Sequence, residues 1–144
     1  MLTRRMWIAL YGLAVITSIG CNISVRPGGG GTPPTTLVAV TGRTIPDGQA
    51  LALTFEPEAD RPVTISVQAD SDHANPDFRV VRGEVDFEDL QTVPIADLIV
   101  VSADEGSGEE VDTFTPETAE AFTLFVEDNN DWPGARFSVT ITQR

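Results

Sequence analysis

Residues Val63–Ala69 read VTISVQA, and apolar and polar side chains alternate along this stretch. Val63, Ile65 and Val67 are apolar and β-branched, and the residues between them are polar. A period of two places the apolar side chains on one face of an extended strand and the polar ones on the other. The stretch therefore predicts a half-buried antiparallel strand with one face against a core and one in water.

Similar short runs rich in Val, Ile, Thr and Phe follow along the chain, separated by turn sequences such as IPDG and EPEAD. With the first stretch they predict strands at 37–40, 50–55, 63–69, 78–82, 98–102, 111–115, 122–127 and 137–142. Residues 86–90 and 116–119 are interpreted as loop segments rather than helices. The pattern predicts an all-β domain over residues 37–144, a single β-sandwich of jelly-roll kind with about eight antiparallel strands.

The N-terminus has a different composition. Two arginines within residues 1–5 precede the uncharged run MWIALYGLAVITSIG, residues 6–20. The run is long enough for the apolar core of a signal peptide and shorter than the roughly 20 residues of a membrane-spanning helix. Residues 1–20 therefore predict an export signal that is removed from the mature chain.

Cys21 is the single cysteine in the sequence and follows this run directly. The segment Ser18-Ile19-Gly20-Cys21 resembles the lipobox of bacterial lipoproteins. The resemblance implies cleavage before Cys21 and a lipid on that residue, which would anchor the chain to a membrane. With Asn22 next, it implies a location in the cell envelope, at the outer membrane on its periplasmic or exterior face. The alternative is an ordinary secretory signal followed by a free thiol.

Residues 21–36 contain four consecutive glycines and a Pro-Pro pair, which predicts a flexible tether between the lipid and the domain. The chain has no lysine and a formal net charge of -13. Removing residues 1–20 takes away two arginines and no acids, so the mature charge becomes -13 - 2 = -15. A protein this acidic is repelled by phosphate backbones, which excludes electrostatic nucleic-acid binding.

The second half of the chain, residues 76–142, resembles the bacterial pre-peptidase C-terminal domain. Asp77-Phe78 corresponds to the Asp-Leu step of that family, and Glu110 begins its Glu-initiated strand. Thr115-Pro116 corresponds to the turn, and residues 122–126 to the strand that ends in valine. The family's Ala-Gly-x-Tyr sequence is replaced by Ala-Glu-Ala-Phe at 119–122. The resemblance implies a small β-sandwich without catalytic residues that accompanies secreted enzymes or stands alone.

Three acidic clusters are candidates for chemistry. The first surrounds His73 and consists of Asp70, Asp72, Asn75 and Asp77. The second, residues 104–112, is interrupted by Gly-Ser-Gly and is interpreted as a hairpin tip. The third is the better candidate for a calcium site, because calcium takes six to eight oxygen ligands, and it consists of Glu127, Asp128, Asn130 and Asp131. For the first and third clusters the alternative is a solvated loop.

Trp132 follows the third cluster and is either a loop anchor or an exposed contact for sugar or peptide. No catalytic set is apparent, because His73 is the single imidazole and no Gly-x-Ser-x-Gly sequence accompanies it. The sequence thus favours a lipid-anchored, non-enzymatic binding or structural module with a protein, a polysaccharide or calcium as ligand. The alternative is an accessory or targeting domain of a secreted peptidase, stabilised by calcium.

Overall fold

The structure is a computed structural model that describes residues 33–46, 48–103, 108–129 and 133–144. Its strands are β1 Thr35–Thr44, β2 Leu51–Phe55, β3 Val63–Ala69, β4 Pro76–Arg82, β5 Leu98–Ser102, β6 Glu109–Phe114, β7 Phe122–Asp128 and β8 Arg136–Gln143. Two short 3₁₀ helices, Phe87–Thr92 and Ile95–Asp97, lie between β4 and β5. The all-β prediction is confirmed.

The strands form two antiparallel sheets of four strands each, in the orders β1-β8-β3-β6 and β2-β7-β4-β5. Each sheet contains two pairs in which an early strand meets a late one: β1 with β8, β3 with β6, β2 with β7 and β4 with β5. Along the sequence, each pair encloses the next: β1/β8 encloses β2/β7, which encloses β3/β6, which encloses β4/β5. The chain therefore resembles one long hairpin that is folded over on itself. This is the strand order of a jelly roll, so the predicted architecture is confirmed.

The core lies between the sheets and is built from alternate residues of the strands, as a period of two requires. Val63, Ile65 and Val67 are buried, as the VTISVQA pattern predicts. They meet side chains from both sheets. The main members of this core are Phe55, Phe78, Val80, Phe122, Leu124, Val126, Phe137, Val139 and Ile141.

The outer side of the β2-β7-β4-β5 sheet is partly covered by the connection that follows β4. The Phe87 ring packs on Phe125, with ring centroids 6.2 Å apart. The Thr123 hydroxyl accepts a hydrogen bond from the Val85 N–H at 3.1 Å and donates one to the Gly83 carbonyl at 2.7 Å. This cover explains why both faces of β7 are buried between Phe122 and Val126.

Two predictions about local structure are corrected. Most of residues 86–90, interpreted as loop, lies in a 3₁₀ helix, because Phe87 draws the connection onto the sheet. Residues 35 and 36, assigned to the tether, already belong to β1, which runs to Thr44 rather than to residue 40. Its pairing with β8, interrupted by register shifts, extends the strand beyond its apolar residues.

Candidate functional site

The topology brings the connections β1–β2, β3–β4, β5–β6 and β7–β8 to one end of the sandwich, which we call the acidic end. Thr44 pairs with Arg136 there, and Pro76 pairs with Asp128. The β3–β4 connection joins the two sheets at this end, since the Gly108 N–H donates to the Ala74 carbonyl at 3.2 Å. The described parts of all three predicted acidic clusters therefore lie at one end of the molecule.

Asn75 lies at the centre of the acidic end and is only 8% exposed. Its backbone N–H donates to the Asp128 carboxylate at 3.1 Å, and its carbonyl accepts from the Asn129 N–H at 2.9 Å. Its side-chain Nδ2 lies 3.5 Å from the Asp77 carboxylate. Its side-chain Oδ1 is buried and has no hydrogen-bond partner among the described residues. An acceptor of this kind, beside two carboxylates, suits a cation.

Asp77 and Glu127 are direct partners in the register of β4 and β7 and face the outer side of the sheet. Burial raises the pKa of Asp77 above its ordinary value of 3.8, and the nearby carboxylates of Glu110, Glu127 and Asp128 raise it further. The Arg79 guanidinium opposes this by lowering the same pKa, and it forms an ion pair with Glu127 at 3.2 Å. Negative charge at this end is therefore only partly compensated.

Glu110 was not predicted to lie near Asp77 and Glu127, although its spacing from Phe114 in the sequence indicates the side of the strand it occupies. It lies on β6 opposite Val67 and is only 4% exposed. Counting back in twos from Phe114, which packs against the core, places Glu110 on the core-facing side of β6. The hairpin-tip interpretation of its cluster is therefore wrong for this residue, because the strand begins at Glu109 and turns Glu110 inward.

The remaining predicted residues have separate environments. Asp70 accepts a hydrogen bond from the Arg136 N–H at 2.9 Å, so its carboxylate holds the beginning of β8. Asp72 and His73 are exposed. The other predicted members of this end, Asn130, Asp131 and Trp132, lie outside the described residues. Within the described ranges, no three His, Cys, Asp or Glu side chains are close enough together to hold a metal ion. The calcium site stays a prediction.

We expect Asp77→Asn to raise the midpoint of thermal unfolding at pH 7 by roughly 1–3 °C, because it removes a repelled charge from a partly exposed site. The raised pKa means that the folded state holds this proton to higher pH than the unfolded state does. The loss of folding stability caused by the ionised Asp77 carboxylate is fully present at neutral pH. It is relieved as the pH falls through the raised pKa towards 3.8. The difference between variant and wild type should therefore shrink on acidification.

Thermal unfolding at pH values from 3 to 8 measures this difference. Asp72→Asn is the matched control, because Asp72 is an exposed aspartate on the β3–β4 connection, just before the strand that holds Asp77. We expect it to change the midpoint little at any pH. A stabilisation by Asp77→Asn of the same size at every pH would contradict the electrostatic explanation.

Comparison with known proteins gives a structural neighbour and no family. No protein-family model matches the chain, and no curated protein sequence matches it. A solved structure with a similar arrangement is CorA of Methylomicrobium album BG8, described as a surface-associated copper-binding protein important in copper acquisition. The two chains are 11% identical, with a TM-score of 0.46, over 76% of this chain and 92% of CorA.

Among the residues that the structure describes, no helix is long and apolar enough to cross a membrane.

Proposed function

We propose that the chain is an exported lipoprotein whose β-sandwich is a non-catalytic binding or structural module at the cell envelope. The observation that carries the proposal is the position of the first strand. Thr35, where β1 begins, pairs with Gln143 at the end of β8. This is the end of the sandwich opposite the acidic end. A lipid on Cys21 would attach through residues 22–34 to the end opposite Asn75, Asp77 and Asp128.

A module tethered at the Thr35 end would hold the acidic end away from the membrane surface. Asp70, Asp77 and Asp128 would then face the periplasm or the exterior, where a ligand or partner can reach them.

We propose further that the domain is related to the pre-peptidase C-terminal domain. The residues of that resemblance lie near the beginnings of strands and in the segment after β6. Asp77-Phe78 lies at the beginning of β4, and Glu110 at the beginning of β6. Thr115-Pro116 follows β6 directly, and β7 begins at Phe122. The agreement supports a β-sandwich accessory module.

Cys21→Ser tests the lipid anchor. We expect the wild-type chain to incorporate labelled fatty acid and to stay with membranes after a carbonate wash. The variant should incorporate none and lose its membrane association, since no other acylation site is proposed. The matched control is Ser18→Leu, which brings the segment closer to the lipobox and should retain the label. A Cys21→Ser chain that is still acylated would contradict the proposal.

A second candidate is that calcium binds at the acidic end. The buried Oδ1 of Asn75 favours it, because Asp77 and Asp128 both contact this residue and their oxygens are ligands that calcium prefers. A cation bound to the folded state must raise the unfolding midpoint. Millimolar calcium should therefore raise the midpoint of the wild type and leave that of the Asp77→Asn, Asp128→Asn double variant unchanged.

Magnesium and the Asp72→Asn variant are the controls for the calcium measurement. Magnesium demands six ligands at shorter distances and should stabilise the wild type less than calcium does. Asp72→Asn should respond to calcium as the wild type does, because Asp72 is an exposed aspartate on the β3–β4 connection, outside the group around Asn75. An equal response of the double variant would place any bound calcium elsewhere.

A further inference from the structure

Each sheet of the sandwich ends in two edge strands, which are β1 and β6 in one sheet and β2 and β5 in the other. An edge strand presents backbone N–H and C=O groups along the side where it has no neighbour, and these groups can pair with a strand of another chain. Natural proteins oppose such pairing by interrupting or charging their edge strands. The four edges of this domain differ in that respect.

Two of the four edges are irregular. The register of β1 with β8 shifts at two places, after Thr36 and after Val40. The register of β5 with β4 shifts between Val80 and Val81. A shift of this kind bends the strand and breaks the even spacing of its backbone groups, so a regular strand cannot be added along its full length.

The β6 edge is protected by charge. Its six residues include Glu109, Glu110 and Asp112. The Asp112 carboxylate accepts a hydrogen bond from the Thr113 N–H at 2.6 Å, so a side chain of the strand satisfies one of the strand's own backbone donors. A strand added to β6 would therefore meet negative charge and would have to displace this hydrogen bond.

The remaining edge strand, β2, has none of these features. It pairs with β7 through all five residues without a register shift, and its sequence LALTF contains no charge and no proline. In the part of the chain that the structure describes, no backbone hydrogen bond joins β2 to a segment other than β7. Leu51 and Leu53 pack against the core and are only half-buried, so apolar surface is exposed along the same edge.

We propose that the β2 edge binds the β2 edge of a second copy of this chain, in antiparallel orientation. A register centred on Leu53 uses all five residues of both strands. On the core-facing side it places Leu51 opposite the partner's Phe55, and on the outer side it places Ala52 opposite the partner's Thr54. Large apolar residues then meet large ones and small residues meet small ones, so the strand is complementary to itself.

The distribution of charge suits this orientation. The acidic end lies at the beginning of β2, because Leu51 pairs with Val126, two residues before Asp128. Antiparallel pairing directs the two acidic ends to opposite ends of the dimer, so their charges lie far apart. Glu56, which follows β2, would lie opposite the partner's Ala50 rather than another acid. The like net charges and the small interface keep the association weak.

Sedimentation equilibrium of the full chain tests the inference, in a polyoxyethylene detergent with micelles in large excess over protein. We expect a dimer with a micromolar to millimolar dissociation constant. Ala52→Lys with Thr54→Lys places like charges opposite each other and should dissociate the dimer, although it lowers the net negative charge. Ala52→Lys with Thr54→Glu places opposite charges there and should strengthen it. The two dissociation constants should differ by about tenfold or more, because both cross-strand pairs change from repulsion to attraction.

The matched control is Val111→Lys with Thr113→Lys, which puts the same charges at exposed alternate positions of the β6 edge. It should leave the dimer intact. Circular dichroism confirms that all the variants are folded. Amide hydrogen exchange identifies the edge independently, because protection of β2 should rise with protein concentration and protection of β6 should not.

A wild-type chain that stays monomeric at millimolar concentration would overturn the inference. A dimer on which the two β2 double variants have the same effect, or which the β6 variant dissociates, would overturn it as well. The inference goes beyond the proposed function, since the interface needs neither the lipid on Cys21 nor calcium. Cys21→Ser should therefore form the same dimer, and a dimer lost in that variant would be a product of the lipid and would also contradict the β2 interface.

Discussion

Phe122→Ala should destabilise the domain by about 3–5 kcal/mol, the cost of removing a buried aromatic side chain together with the cavity that is left. Phe122 is 2% exposed and stacks on Phe55, its partner across β2 and β7, with ring centroids 5.9 Å apart. Phe114 of the other sheet contacts it edge-on at 5.4 Å. The three rings join both sheets at the end of the sandwich opposite the acidic end.

Urea unfolding, monitored by far-UV circular dichroism, gives the change in the free energy of unfolding of this variant. In a domain of this size the loss corresponds to a midpoint lower by roughly 15–30 °C. Phe122→Leu is the control, because it retains much of the apolar volume and should cost no more than about 1.5 kcal/mol. An alanine variant that loses less than about 1 kcal/mol would mean that the ring cluster does not hold the sheets together.

Gln143→Leu should be the second most damaging change, at about 2–4 kcal/mol, because it leaves three partly buried backbone groups without partners. Gln143 is 2% exposed. Its Oε1 accepts a hydrogen bond from the Glu58 N–H at 2.9 Å. Its Nε2 donates to the Glu58 carbonyl at 2.7 Å and to the Arg61 carbonyl at 3.2 Å. One side chain of the last strand therefore fixes the connection between β2 and β3.

Amide hydrogen exchange separates this local effect from a general loss of stability. The Glu58 N–H should be protected in the wild type and should exchange much faster in Gln143→Leu, beyond what global unfolding explains. Gln68→Leu is the matched control, because it is the same substitution at an exposed position of β3. If both variants lost equal stability, the hydrogen bonds of Gln143 would not be the cause.

The sequence predicted those features of the fold that depend on neighbouring residues. The alternation in Val63–Ala69 predicted both the strand and its buried face, because a period of two is local. The partner of each strand could not be read in the same way. β1 pairs with β8 and β2 with β7, and such long-range pairing depends on how two core faces fit together. Phe87 was missed as a cover because it packs on Phe125, 38 positions later.

For the candidate site, too, the sequence predicted the local features and not the long-range contacts. Asp77 and Asp128 were recognised as candidates from composition, in two separate clusters. The register of β4 and β7 brings these clusters together, and Asn75 contacts both. Glu110 lies near these residues because its side chain is on the core-facing side of β6. The sequence indicates that side only if the burial of Phe114, four residues later, is already known.

The nested pairing of the strands also determines when the domain can fold. β8 supplies the central position between β1 and β3, so the first sheet has no continuous hydrogen bonding until the C-terminal residues are present. Contacts between residues so far apart in sequence form slowly. A chain that lacks β8 therefore cannot complete the first sheet. β8, the last of the described strands along the chain, thus completes the sheet that β1 begins, and residues Arg136–Gln143 join the two ends of the sequence in one sheet.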